Sequence, residues 1–140
     1  MKKKLRKVRL SKKTLLEKAK KSCWKACTEA IKRRDKVCQV HGLECRDKVL
    51  VVDHFLSRTH QSIFFDERNL TLVCRTANWE KFRNRGDTAY RITKSVQSRW
   101  GDAAIEDLGF LSRTPKKWTI EDLENLEKNF NSIYQNGKET

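Results

Sequence analysis

The chain has no long apolar run. None of its stretches approaches the roughly 20 residues of a membrane helix, and no signal-peptide pattern follows Met1. It therefore reads as a soluble, cytoplasmic protein with no membrane partner. It also lacks an even set of cysteines. Cys23, Cys27, Cys38, Cys45 and Cys74 are five, and an odd count without a secretory signal argues for thiols or metal ligands rather than a disulfide framework. Internal repeats are missing, and so is low-complexity sequence beyond one basic stretch. Proline is nearly absent: Pro115 stands alone and marks a loop.

Acidic residues are scarce in one region. The first 36 residues hold sixteen Lys and Arg against only Glu17, Glu29 and Asp35, a net of +13 out of +14 for the chain. The charge is thus an N-terminal device rather than a surface-wide property. A solubilising tail would account for it. So would an arm that releases counterions from a polyanion, and this density favours nucleic acid over an acidic membrane or protein. Lys2, Lys3, Lys4, Arg6, Lys7 and Arg9 are the arm's candidate phosphate contacts.

What is present fits one domain of 140 residues with a modest core, since 37% of residues are apolar and 36% charged. Residues 1–10 read as a flexible basic arm. Residues 11–36 read as a basic amphipathic helix, capped by Ser11 or by a Thr14/Glu17 capping box. Leu15, Leu16, Ala19, Cys23, Cys27, Ala30 and Ile31 form its apolar stripe. Cys23 and Cys27 lie one turn apart on that stripe, as small buried thiols rather than metal ligands.

Residues 37–86 carry the chemistry. Cys38 to Cys45 reads as a tight turn about Gly42, Lys48–Val52 as a strand and Asn69–Val73 as a second strand. Arg75–Asn84 reads as a helix ending before Gly86. The loop from Phe55 to Arg68 is too long for a hairpin turn, and such loops usually carry function. Residues 87–140 read as the helical remainder of the same domain. Asp87 caps a helix bearing Ala89, Tyr90, Thr93, Val96, Gln97 and Trp100, and a short helix follows near Asp102–Leu108. Thr119 and Asp122 open a last helix with Leu123, Leu126, Phe130, Ile133 and Tyr134 on one face. The fold class is α+β. Trp24, Trp79, Trp100 and Trp118 read as core residues, with stacking on an unpaired base open to an exposed one.

On those elements lies the pattern D-H-x14-N-x8-N: Asp53, His54, Asn69 and Asn78. A carboxylate and an amide oxygen are hard ligands suited to Mg²⁺ or Mn²⁺. A neutral imidazole with a pKa near ~6.5 can take a proton from water. Beside a very basic chain, this set points to phosphodiester hydrolysis. Adjacent strand residues point to opposite sides, so Asp53 and His54 are expected to share a site through a bend after Val52. Arg58, in the long loop, is a candidate phosphate contact and a better one than His60, because a guanidinium binds phosphate bidentately.

With Asn in place of the last His, the pattern resembles the HNH, or ββα-metal, endonucleases, in the form found in phage recombination endonucleases of the endonuclease VII type. A longer resemblance, from about Ala30 to Tyr134, is to the NinG/Rap phage recombination family. It takes in Arg34-Asp35, Cys38, Asp53-His54-Phe55, Phe65-Asp66-Glu67-Arg68-Asn69, Cys74, Asn78, Tyr90-Arg91, Arg99-Trp100-Gly101 and Trp118 to Asp122. The resemblance implies a ββα-metal core and DNA cleavage on branched, recombination-intermediate substrates such as Holliday junctions. It implies His54 as general base, Asp53 and Asn78 as ligands of one catalytic ion, and Asn69 as a brace that ties the loop and orients His54. A homodimer would place paired cuts, and a phage-encoded chain would act in host cytoplasm. A sequence-specific or nicking HNH enzyme on duplex DNA, or a non-catalytic nucleic-acid-binding module, would share much of this pattern.

The chain departs from the family at zinc. Relatives often brace the fold with two C-x2-C pairs. Here the pairs read Cys38 to His41 and Cys74 to Ala77, one ligand short. Either Cys45 completes a structural Zn²⁺ set of Cys38, His41, Cys45 and Cys74, or Ala77 marks a site where apolar packing has replaced the metal.

Overall fold

The computed structural model describes residues 9–135. Of the arm, Arg9 is described and exposed, whereas Lys2, Lys3, Lys4, Arg6 and Lys7 lie outside the described residues. The architecture is α+β: a two-stranded antiparallel sheet with helices on both faces.

Helix α1 spans Lys12–Asp35. Ser11 is its N-cap, its hydroxyl accepting the Thr14 N–H at 3.2 Å, so the cap lies three residues before the Thr14/Glu17 alternative. The apolar stripe buries Cys23, Cys27, Ala30 and Ile31 completely. These pack on Leu70 and Leu72 of the sheet and on Leu123 and Phe130 of the last helix. Each large aliphatic side chain so buried contributes about 1.5–3 kcal/mol. Arg33, in the last turn of α1, donates from Nη2 to the carbonyls of Phe130 (2.7 Å) and Ile133 (3.1 Å). A cation there satisfies orphan carbonyls at the other helix's C-terminal end.

Strand β1 is Leu50–His54 and β2 is Leu70–Cys74, with Asp53 opposite Thr71 and His54 opposite Leu70. Both strands sit one or two residues later than the β-branched runs suggest, and β1 continues through Asp53 and His54. All five residues of β2 are buried, because α1 covers one face while Val73 and Cys74 pack with Cys38, Val40, Ala77 and Ile92 on the other. The loop between the strands contains two 3-10 turns, Gln61–Ile63 and Glu67–Asn69.

Arg34 and Asp35 lock α1 to β2. Arg34 Nε lies 2.8 Å from Asp35 Oδ1, both side chains are nearly inaccessible, and Arg34 also donates to the carbonyls of Glu67 and Leu70. Asp35 Oδ2 accepts the Leu72 N–H at 2.9 Å, and Arg99 approaches Oδ1 at 2.9 Å. Every donor and acceptor in this buried network has a partner, which is what makes a buried charge tolerable.

Four further helices follow: α2 (Arg75–Phe82), α3 (Thr88–Trp100), α4 (Asp102–Ser112) and α5 (Ile120–Ser132). Thr119 and Asp122 open α5 as expected, and do so as a capping box. In α3 the buried residues are Thr88, Ile92 and Val96, whereas Ala89 and Tyr90 are exposed. The inward face is thus turned by one residue, about 100°, from the stripe led by Ala89 and Tyr90. Asp87 holds Arg91 at 3.0 Å instead of capping α3 with its side chain. Among the described residues no helix is long and apolar enough to cross a membrane.

Candidate active site and metal centre

The end of β1, the loop after it and α2 border an open cavity of about 700 Å³. Asp53, His54, Arg58, Asn78, Lys81 and Phe82 border it. Three of the four residues of the D-H…N…N pattern therefore meet at one place. No bend after Val52 is needed: β1 keeps its pairing through His54, and the two neighbouring side chains border the cavity while engaging different elements.

His54 is held from the side of α1. Its ring stacks on Trp24 with centroids 5.1 Å apart and planes 11° from parallel, and Phe64 lies 4.7 Å away. Its Nε2 lies 3.0 Å from the Phe64 carbonyl. A carbonyl only accepts, so Nε2 carries the proton and Nδ1 of the neutral ring is left with the lone pair. Burial lowers the His54 pKa, the Phe64 carbonyl opposes this, and the charges of Lys81 and Arg58 lower it further. At neutral pH the ring is therefore an uncharged base.

Asp53 faces α2. It is 6% exposed, and its Oδ2 lies 2.6 Å from Lys81 Nζ, which also donates to the His54 carbonyl at 2.7 Å. Burial raises the pKa of Asp53, and Lys81 offsets part of that rise. Lys81 is a residue that motif reasoning missed. Its signal was present, because it stands one turn after Asn78 on the same helix. Trp24 was missed as a partner of His54 because nothing local marks a contact across 30 residues.

Asn69 is fully buried, and its side-chain hydrogen bonds go to the loop rather than to the His54 ring. Its Oδ1 accepts the Leu56 N–H at 2.7 Å, and its Nδ2 donates to the carbonyls of Leu56 (3.1 Å) and Ile63 (3.3 Å). It ties the loop, as expected, but the bond that orients the imidazole comes from Phe64. Arg58 is exposed at the cavity margin and makes no ion pair among the described residues.

On the far side of β2, Cys38, His41, Cys45 and Cys74 bring their ligand atoms within 4.8 Å of one another. His41 Nδ1 lies 3.7 Å from Cys38 Sγ and 3.4 Å from Cys74 Sγ. A tetrahedral ion with bonds of about 2.3 Å to sulfur and about 2.05 Å to nitrogen sets that separation at roughly 3.5 Å. The cluster could hold a metal ion such as zinc. Gly42, at φ +64°, turns the chain so that Cys45 comes back over Cys38. Ala77 is fully buried and packs against the same thiols. Cys45 thus stands with the ligands, and Ala77 fills space.

The thiols are unequally disposed. Burial works against ionisation of Cys38, but N–H groups of His41, Cys74 and Val40 outweigh it and its pKa falls. Cys74 is pushed up to about 11, mainly by burial. Its sulfur also accepts the Ala77 N–H at 3.3 Å, capping α2. By contrast Cys23, pushed up to about 12 by burial, and Cys27, raised further, are inert core thiols.

A scan against protein-family models and searches of curated proteins and of solved structures return no match to this chain.

Proposed function

We propose that this chain is a metal-dependent DNA endonuclease of the HNH type, with a ββα-metal core formed by β1, β2 and α2, acting on branched or otherwise distorted DNA. The observation that carries this reading is the meeting of Asp53, His54 and Asn78 at one cavity on a strand–loop–strand–helix unit. The chain carries a net charge of +14, concentrated in its first 36 residues, suited to a phosphate backbone.

His54 takes a proton from the attacking water through Nδ1, while Phe64 and Trp24 fix the ring. Asp53 and Asn78 hold the catalytic cation. Their oxygens are the hard donors Mg²⁺ and Mn²⁺ favour, and the ion would take the place of the Lys81 ammonium that now pairs with Asp53. A bound Mg²⁺ or Mn²⁺ supplies Lewis-acid stabilisation of the phosphate and of the departing 3′ oxygen. Arg58 binds a neighbouring phosphate, and the basic arm and α1 hold backbone without reading bases. Asn69 acts through the loop it ties. Cys38, His41, Cys45 and Cys74 form a structural Zn²⁺ site, with all four ligands supplied by protein.

The test is cleavage of matched four-way junction, flap, nicked and linear DNA in Mg²⁺ or Mn²⁺. His54→Ala should abolish cutting and leave DNA binding nearly intact. Parent-rate cutting by that variant refutes the assignment.

A further inference from the structure

The outer face of α2 presents aromatic rings where a folded core would hide them. Phe82 is 77% exposed and borders the cavity that holds Asp53, His54 and Asn78. Trp79, one turn earlier, is 42% exposed, and the guanidinium groups of Arg83 and Arg85 lie 4.3 Å and 5.0 Å from its ring. Arg58 stands at the same cavity, with its side chain in solvent. The helix therefore offers a bare ring beside the candidate catalytic groups, with Arg58, Arg83 and Arg85 nearby to meet phosphates.

Within uninterrupted duplex both faces of every base are already stacked, and an exposed ring has no base to meet. At a branch, flap or loop the first unpaired base has a free face, and an aromatic side chain can take it. Arginine contacts to phosphate fix position without regard to pairing. The ring alone distinguishes interrupted from continuous helix.

We infer that Phe82 is a stacking platform for an unpaired base next to the scissile phosphate, and that it makes interrupted DNA the preferred substrate. The inference rests on the endonuclease reading above and deepens it. Phe82 does not act on the reacting atoms. It selects which DNA presents a phosphate to them, with Trp79 and its arginines continuing the contact along the strand.

The experiment uses the full chain carrying His54→Ala, so that DNA stays intact. It is titrated with flap DNA bearing 2-aminopurine at the first unpaired position, and with linear duplex bearing it in a pair. Binding should quench the unpaired probe and leave the paired probe nearly unchanged. Adding Phe82→Ala should remove the quench and weaken flap affinity about tenfold, within the range found for base-stacking aromatics. Duplex affinity should change less than twofold. Phe82→Trp should keep the quench, and an unchanged melting temperature shows that each variant is folded. Quenching that survives Phe82→Ala, or equal losses of flap and duplex affinity, overturns the platform. So does binding of single-stranded RNA or an acidic protein in preference to flap DNA. Cleavage by the parent is measured alongside on the same DNAs. Cutting without Phe82-dependent quenching overturns the platform alone, whereas absence of any His54-dependent cutting overturns the nuclease reading and this inference with it.

Discussion

Replacing Lys81 by Met probes the candidate cation site without touching its ligands. The Asp53 side chain is 6% exposed and that of Lys81 24%, with 2.6 Å between charged atoms. Removing one partner of a fully buried pair costs about 3–5 kcal/mol, because the remaining charge is left uncompensated. Water reaches the lysine end, so screening reduces the expected loss to about 2 kcal/mol. For a chain of this size that is roughly a 6 °C fall in melting temperature, measured by thermal unfolding in EDTA at pH 8.

Magnesium should then restore what the lysine supplied. At 100 times its Kd a ligand specific to the native state stabilises by about 2.7 kcal/mol, which would offset the loss. In the parent, Mg²⁺ must displace the ammonium from Asp53 and gains only the difference, so the parent's shift should be clearly smaller. Magnesium is the discriminating ion because soft thiolates do not favour it, which leaves the Cys38 cluster out of the response. The double variant Asp53→Asn/Lys81→Met should recover stability in EDTA and ignore Mg²⁺. The pH dependence has a fixed sign. Losing Lys81 raises the Asp53 pKa of the folded state further above its unfolded value. The variant's deficit should therefore be small in acid, where Asp53 is neutral, and grow as pH rises through that folded pKa. Parent-like melting of Lys81→Met in EDTA would refute the reasoning, as would an equal Mg²⁺ shift in the double variant.

Three other outcomes are expected. Purified protein should carry one zinc per chain, and Cys45→Ser should release it with a fall in melting temperature, read by a colorimetric zinc assay; full zinc retention would return the fourth ligand to another group. Asp35→Ala should destabilise by about 3–5 kcal/mol in denaturant unfolding, since it strands the buried Arg34 guanidinium and the Leu72 N–H; a loss below about 1 kcal/mol would contradict the clamp. With a thiol reagent, native protein should leave Cys23 and Cys27 unmodified until it unfolds, because both are fully buried with raised pKa values; rapid native labelling of either would show that α1 opens locally.

Local signals located most elements because each is written in a short window. The α1 stripe, the α5 capping box and the β-branched runs each need only a few residues to declare themselves. The α3 face was only partly legible, since Ala89/Tyr90/Thr93 and Thr88/Ile92 are competing helical stripes about one residue apart, with Val96 common to both. Only packing against the sheet and α4 decides between them. Contacts across long separations were equally hidden. Trp24 meets His54 because the apolar stripe of α1 lies over β2, and no pattern around residue 24 or residue 54 records that.

The zinc question shows how such hidden geometry bears on the site. With two ligands from α2, a metal would pin that helix to the sheet directly. Here the fourth candidate ligand is Cys45, just after the short turn Gly42–Glu44, and α2 contributes only its N-cap, Cys74. The helix must be held otherwise. Asp47 accepts the Thr76 N–H and hydroxyl at 3.1 Å and 3.0 Å, fixing its first turn. Lys81 ties its last turn to Asp53 and to the His54 carbonyl. The lysine therefore serves the scaffold as well as the charge of Asp53. A cation that took its place on Asp53 would have to hold α2 as well, and Asn78, one turn earlier on that helix, is the side chain through which it could do so.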